Sequence, residues 1–354
     1  AGNLIAQSFY EFSQLNGFGA DFGLINSGGV RADLDADGDG VITRGEAQST
    51  QPFDGDMGTV DLTAKQVYEP LEQQWKGEEA SRPVLQLGLS DTIAYTYDPE
   101  APIGSKVTSV RIHGELLDRN DESRTYRVIA GTFLLAGGDG FTALSEGQNF
   151  KNLGYKDLAA TIEFLKAKPG WKVSNSQRSI GVGALPEFKQ GVEVTINLSS
   201  LSMTADEEKP ATASISLADG TVLGTADVDN TIVPQLPETG RAAVTFTVPA
   251  DLAPGEHVIV IKAGETEYPL TIEVVGSDAG ATDEPGATAE PGTEAPAAPG
   301  SPAPTADGQG KGKDAAGGQL ATTGAADQSL VVMMAVLLLA AGAALVAAKR
   351  REMQ

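Results

Sequence analysis

The sequence lacks cysteine altogether and has only two histidines among its 354 residues. Without cysteine there is no disulfide framework, no cysteine-ligated zinc, no iron–sulfur cluster and no thiol nucleophile. The two histidines, His113 and His257, are too far apart in the chain to indicate a histidine-rich metal centre. We therefore expect no transition-metal site built from this sequence.

Positive charge is also scarce. The chain has 25 Lys and Arg residues against 48 Asp and Glu residues, which gives a formal net charge of −23. Proteins hold DNA and RNA chiefly by neutralising phosphates with basic groups. We therefore predict no nucleic-acid partner.

Large apolar side chains are missing between residues 277 and 319, where Pro, Ala, Gly, Thr, Asp and Glu dominate. Such a segment buries too little apolar surface to offset the entropy lost on ordering, roughly 1–2 kcal/mol per residue. This composition predicts a disordered, proline-stiffened linker.

The C-terminal end of the sequence combines three features. The pentapeptide LATTG at 320–324 precedes an apolar run at 330–348, and a basic cluster at 349–351 follows. As a transmembrane helix the run would be about 28 Å long, with its basic end in the cytoplasm. The arrangement resembles a Gram-positive cell-wall sorting signal of the LAxTG type. The resemblance implies that a sortase cuts between Thr323 and Gly324 and links the chain to peptidoglycan; retention as a membrane anchor is the alternative.

Residues 1–172 alternate patterns typical of helices and of strands, which predicts an α+β domain. A helix is expected after Thr63, because Thr63 and Gln66 form a capping pair. Strands are predicted at 20–26, 106–117 and 125–133.

Residues 173–276 contain short β-rich runs separated by turn signals. This spacing favours an all-β, immunoglobulin-like sandwich, for which a stalk is the expected role. The predicted organisation is therefore an α+β domain, a sandwich, a linker at 277–319 and a sorting segment at 320–354.

Four short motifs occur in order in the first domain: GNLIA at 2–6, INSGGVRADL at 25–34, QPF at 51–53 and FLLAGGDGF at 133–141. Together they resemble the C-terminal domain of 5'-nucleotidases, exported enzymes that remove phosphate from nucleotides. In that family this domain grips the nucleoside, while an N-terminal metallophosphatase domain performs hydrolysis with two divalent metal ions.

The resemblance implies a role for five side chains. Phe53 and Phe133 would sandwich the base, and Asp139 would accept hydrogen bonds from the ribose hydroxyls. Asn26 would contact the base and Arg31 the phosphate. Stacking of a base on an aromatic ring is worth roughly 1–3 kcal/mol, and a carboxylate can accept from two neighbouring hydroxyls. The alternatives are that the two rings are core residues and that the three polar residues only shape turns.

The sequence departs from the family in two respects. The usual Gly-Asn after Pro-Phe is replaced by Asp54, Gly55 and Asp56, which adds two negative charges beside the implied base site. The metallophosphatase motifs Asp-x-His and Gly-Asn-His-Glu or Gly-Asn-His-Asp do not occur. Because hydrolysis depends on the two metals, we expect this chain alone to be inactive and the catalytic domain to precede it in the parent protein.

An aspartate-rich loop at 35–46 fits the twelve-residue EF-hand calcium pattern, with carboxylates at positions 1, 3, 5 and 12 and glycine at position 6. No incoming helix is predicted before it, and a solvated acidic loop is the alternative. The candidate Ca²⁺ ligands are Asp35, Asp37, Asp39, Val41, Thr43 and Glu46.

The sequence thus predicts the nucleotide-binding part of an extracellular, cell-wall-anchored 5'-nucleotidase. One alternative is a non-catalytic, calcium-dependent module for surface display or adhesion. Another keeps hydrolysis but changes the substrate to cyclic nucleotides or nucleotide sugars.

Overall fold

The computed structural model describes residues 1–34, 38–172, 174–203, 208–233 and 239–277. The helices are α1 (Gly2–Leu15), α2 (Arg44–Thr50), α3 (Ala64–Glu72), α4 (Thr132–Leu135) and α5 (Asp157–Ala167). The strands are β1 (Phe22–Asn26), β2 (Asp56–Thr63), β3 (Leu87–Leu89), β4 (Ile93–Tyr97), β5 (Val107–Ile112), β6 (Glu115–Leu116), β7 (Thr125–Gly131), β8 (Gln148–Lys156), β9 (Ser179–Val182), β10 (Phe188–Lys189), β11 (Glu193–Ser199), β12 (Thr212–Leu217), β13 (Val222–Asp227), β14 (Ala242–Thr247), β15 (Gly255–Ala263) and β16 (Thr266–Val275).

The predicted membrane span lies outside the described residues, as do Thr323, Gly324 and nearly all of the predicted linker. Among the residues that the structure does describe, none of the helices combines the length and the apolar character needed to cross a membrane. The sorting signal therefore stays a prediction from sequence.

The first sheet has the strand order β3-β1-β7-β2-β8, in which β1 and β7 are parallel and the other pairs are antiparallel. Alternate side chains of β1 and β7 point to opposite faces. Leu24 and Val128 join the core beneath α3, whereas Ile25 and Ile129 join the core beneath α1 and α5. Both faces of the sheet are therefore covered.

Helix α3 begins as the sequence predicts. The Thr63 side chain accepts from the Gln66 backbone N–H, and the Gln66 side chain accepts from the Thr63 N–H. At the other end of the helix, the buried carboxylate of Glu72 accepts from the backbone N–H groups of Lys106 and Val107 at 2.9 and 2.8 Å. These contacts fix α3 against the start of β5.

The strand predicted at 106–117 is instead two strands. His113 and Gly114 adopt positive φ values of 52° and 80°, which turn the chain back on itself. Arg111 then pairs with Leu116 across the turn. The apolar pattern continues through the turn, so periodicity alone does not reveal it.

A six-stranded sheet, β14-β11-β9-β4-β5-β6, crosses the boundary predicted at residues 172 and 173. Its centre is a parallel pairing in which Tyr95 of β4 lies opposite Ser179 of β9. A second five-stranded sheet, β10-β16-β15-β12-β13, shares a core with β9, β11 and β14. The region after residue 172 is all-β in its described part, and its immunoglobulin-like assignment stays a prediction.

A polar network ties together three strands of the first sheet. Asp61 of β2 pairs opposite Arg127 of β7, and the guanidinium donates to both carboxylate oxygens, at 2.7 and 3.1 Å. Asn149 of β8 donates to the same carboxylate at 2.9 Å. The hydrogen bond from Arg127 lowers the pKa of the buried Asp61, with Asn149 acting in the same direction.

We predict that Asp61→Asn destabilises the protein at pH 7 but not in acid. Because the folded pKa of Asp61 is below its ordinary value of 3.8, its stabilising contribution is present above that pH and is lost as pH falls through the folded pKa. Urea unfolding at pH 7 should show a loss of about 1–3 kcal/mol, which shrinks towards pH 2. The same change at the exposed Asp251 is the control. A loss of unfolding free energy in Asp61→Asn that does not depend on pH would contradict a stabilising role for the ionised Asp61 carboxylate.

Candidate functional site

The ends of four strands meet at one edge of the first sheet. Because β1 and β7 are parallel, Asn26 at the end of β1 lies near the residues that follow β7, among them Phe133. Because β2 is antiparallel to β7, its first residue Asp56 and the preceding Phe53 lie at the same edge. β8 ends opposite Asp56, which brings Asp157 there too. The carboxyl ends of parallel strands are a common place for ligand sites.

A cavity of about 380 Å³ lies at this edge, which is large enough for a small ligand. Phe53 and Phe133 are 63% and 61% exposed, so they are not core residues, and both rings line the cavity. The structure thus brings together, at one cavity, all five side chains that the sequence implied: Asn26, Arg31, Phe53, Phe133 and Asp139.

Part of the cavity wall is built on the glycine turn after β1. Asn26 Nδ2 donates to Asp139 Oδ2 at 2.6 Å, although 113 positions separate the two residues in sequence. A Cβ atom on Gly28 would lie 2.8 Å from the same Asp139 oxygen, so a larger residue there would require the carboxylate to shift away from Asn26. Asp139 itself has a φ of 54°. We call Asn26, Gly28, Arg31 and Asp139 the glycine-turn wall.

The two aromatic rings are held by different neighbours. Phe133 lies over the backbone of Gly138, where an added Cβ would be 2.6 Å from ring atoms Cδ1 and Cζ. The centre of the Arg31 guanidinium is 5.9 Å from the centroid of the Phe53 ring, within the range of a cation–π contact. The Arg31 side chain therefore lies at the cavity, beside the Phe53 ring.

A second part of the wall is acidic. Asp56 and Asp157 line the cavity next to Gly55. Lys156 Nζ is 2.8 Å from Asp56 Oδ1, and this hydrogen bond lowers the pKa of Asp56. Burial raises the pKa of Asp157, and the nearby charge of Asp54 acts in the same direction. We call Gly55, Asp56 and Asp157 the acidic wall.

Sequence reasoning missed two of the charged residues that line the cavity, Arg82 and Asp157. Arg82 lies in a loop between α3 and β3 with no motif around it, so nothing in the sequence indicates its position. Asp157 is the first residue of α5, where an acidic residue is expected for helix stability alone. Only the pairing of β8 with β2 brings it to the site.

The described part of the EF-hand-like loop shows local contacts. Val41 N donates to Asp39 Oδ1 at 2.7 Å, and the Glu46 carboxylate caps α2 by accepting from the Thr43 N–H and hydroxyl, both at 2.8 Å. Asp35 and Asp37 lie outside the described residues. Within the residues described, no group of three or more His, Cys, Asp or Glu residues is arranged to hold a metal ion. Calcium binding stays a prediction from the pattern.

Comparison with known proteins identifies the class of the first domain. Residues 1–146 match the family described as 5'-nucleotidase, C-terminal domain. The α+β fold that the resemblance implied for this domain is confirmed. The first domain is therefore similar in sequence and fold to the C-terminal domain of 5'-nucleotidase-family proteins.

Three relatives illustrate the family. The trifunctional nucleotide phosphoesterase protein YfkN of Bacillus subtilis is 35% identical over 176 residues, covering 49% of this chain and 12% of that protein. Cell wall protein Lmo0130 of Listeria monocytogenes is 29% identical over 229 residues, covering 63% and 28%. A 5'-nucleotidase of Vibrio vulnificus is 34% identical over 166 residues, covering 47% and 26%. The matched part of this chain thus corresponds to between 12% and 28% of the length of these relatives.

We predict that the loop at 35–46 binds Ca²⁺ and that Glu46 leaves its cap to do so, because an EF-hand needs a bidentate carboxylate at its twelfth position. Titration of Ca²⁺ into chelator-treated protein should release or absorb heat below millimolar metal. Glu46→Gln is the matched control, because glutamine can still form the capping box but cannot supply a carboxylate to the metal. This variant should show no heat of Ca²⁺ binding. No heat at millimolar Ca²⁺ from the unmodified chain would reject the site.

Proposed function

We propose that this chain is the nucleotide-recognition part of a secreted, cell-wall-anchored 5'-nucleotidase that hydrolyses nucleoside phosphates outside the cell. The observation that carries the proposal is the cavity lined by two exposed aromatic rings, Phe53 and Phe133, together with Asp139. Large apolar rings are costly to leave in water, and a flat heterocycle would cover both. The family match of residues 1–146 supports the same ligand class.

Each side chain has a chemical role in this proposal. Phe53 and Phe133 stack against the base, an interaction that tolerates different bases. Asp139 accepts hydrogen bonds from the ribose hydroxyls, and Asn26, which also donates to Asp139, contacts the base. Arg31 binds the phosphate, and this local cation matters because the chain carries a net charge of −23 that repels anions.

Hydrolysis itself would be performed by a two-metal domain that precedes this chain in the parent protein. Two metal ions lower the pKa of the attacking water and neutralise the charge that develops on the phosphate. The role of the present chain would be to position the nucleotide for that step. The relative from Vibrio vulnificus is named a 5'-nucleotidase, and this chain matches 26% of its length, which leaves room in such a protein for a separate catalytic domain.

Extracellular anchoring is supported by two independent observations. The LATTG pentapeptide, apolar run and basic cluster occur in the order of a sorting signal. A relative that aligns with 63% of this chain is named a cell wall protein. Sortase and peptidoglycan are therefore the proposed partners of Thr323, and the apolar run would hold the precursor in the membrane before processing.

The rival proposals remain a calcium-dependent display module without catalysis, and a hydrolase of cyclic nucleotides or nucleotide sugars. The second of these has some support, because the relative YfkN is named a trifunctional nucleotide phosphoesterase. The sequence encoded upstream of Ala1 distinguishes the enzyme hypothesis from the display-module hypothesis. Two-metal motifs encoded there would support hydrolysis, whereas a signal peptide directly before Ala1 would favour display.

We predict that Phe53→Ala and Phe133→Ala each weaken adenosine binding by about 5- to 150-fold, because each removes one stacking surface worth roughly 1–3 kcal/mol. Isothermal titration calorimetry with this chain measures the effect. Phe150→Ala is the matched control, since Phe150 is 56% exposed on β8 but does not line the cavity. Unchanged affinity in both cavity variants would remove the proposed site.

A further inference from the structure

The acidic wall of the cavity has no role in the function proposed above. Phe53 and Phe133 account for stacking, and the glycine-turn wall accounts for the sugar and phosphate. Asp157 nevertheless lines the same cavity, half-buried, at the first position of α5. A half-buried carboxylate in a ligand cavity is stabilised when a hydrogen-bond donor on the ligand contacts it.

Asp157 is attached to the loop that carries Phe53. Its backbone N–H donates to the Gly55 carbonyl oxygen at 3.0 Å, and its Oδ2 lies 3.7 Å from the position of a Cβ on Gly55. Oδ1 accepts from the Leu158 N–H at 2.7 Å. The carboxylate is therefore held beside Gly55, which follows the stacking residue Phe53 by two positions in the sequence. Asp139 belongs to a different part of the cavity wall.

The Leu158 N–H supports the Asp157 carboxylate, but among the described residues no lysine or arginine forms an ion pair with it. Lys156, the adjacent cation, is engaged with Asp56 at 2.8 Å. Asp54 faces Asp157 as a like charge, and burial raises the pKa of Asp157. Two N–H donors from a ligand would stabilise the ionised form by charge-assisted hydrogen bonds.

Resting on the proposed function, we infer that Asp157 is a specificity-determining residue that selects purine bases carrying an N1–H group, guanine above all, over adenine. Guanine presents N1–H and the N2 amino group side by side, so both can donate to one carboxylate. Adenine presents an unprotonated N1 beside its N6 amino group, which places a lone pair against the carboxylate. Hypoxanthine has the N1–H but lacks the second donor, so inosine should rank between the two.

The charges that line the cavity also bear on where a phosphate would bind. Asp56 and Asp157 would repel an anion, whereas Arg31 on the glycine-turn wall attracts one. In this proposal the phosphate contacts Arg31 and the base contacts Asp157. The acidic wall would then help to orient the ligand, while Asp157 selects the base.

Calorimetric titration of this chain with guanosine, adenosine and inosine tests the inference. The unmodified chain should bind guanosine at least about tenfold more tightly than adenosine, the discrimination expected of a bidentate pair. Asp157→Asn should narrow or reverse this ratio, because an amide offers a donor to adenine N1. Glu163→Gln makes the same chemical change at an exposed position of α5 and should leave the ratio unchanged.

The outcomes separate this inference from the proposed function. If Phe53→Ala weakens all three nucleosides while Asp157→Asn leaves the guanosine-to-adenosine ratio unchanged, the nucleoside site stands and the role of Asp157 is overturned. If the unmodified chain binds none of the three, both fail. Far-ultraviolet circular dichroism shows whether the Asp157→Asn variant is folded. A folded variant with an altered guanosine-to-adenosine ratio, and an inosine affinity that changes in the same direction as the guanosine affinity, supports the inference.

Discussion

The parallel pairing of β1 with β7 is the constraint on which the site depends. It sets Phe22 opposite Val128 and Gly23 opposite Ile129, so the two strands end at the same edge of the sheet. Asn26 and the segment carrying Phe133 and Asp139 can then meet, although they are more than a hundred positions apart in sequence. The antiparallel neighbours β2 and β8 bring the remaining walls to that edge. The cavity is thus a consequence of strand direction rather than of any one loop.

Motifs with a local physical cause could be predicted from the sequence. The Thr63 and Gln66 cap is one example, and the glycine turn after Asn26 is another. Long-range relations have no such local cause: the meeting of Asn26 with Asp139 was implied only by the family resemblance, and relations outside the family motifs were not implied at all. Strand β8 is exposed along nearly its whole length, so it lacks the alternation that marks a half-buried strand. Because β8 was not predicted, the position of Asp157 could not be predicted either.

The cavity also illustrates how an acidic chain can hold an anionic ligand. Net charge sets the average field, but binding responds to the few groups that face the ligand. Arg31 and Arg82 line one cavity together with Asp56, Asp139 and Asp157. Such mixed walls favour a ligand with separated regions of opposite polarity, which a nucleotide provides through its phosphate and the N–H groups of its base.

The six-stranded sheet that joins β4 with β9 has a mechanical consequence. Arg178, just before β9, is buried and donates to the carbonyl oxygens of Asn3 and Leu89, so the junction is held by side chains as well as by the strand ladder. Rotation of the first domain against the sheets that follow residue 172 would have to break both this ladder and these contacts, so the cavity keeps one orientation relative to those sheets.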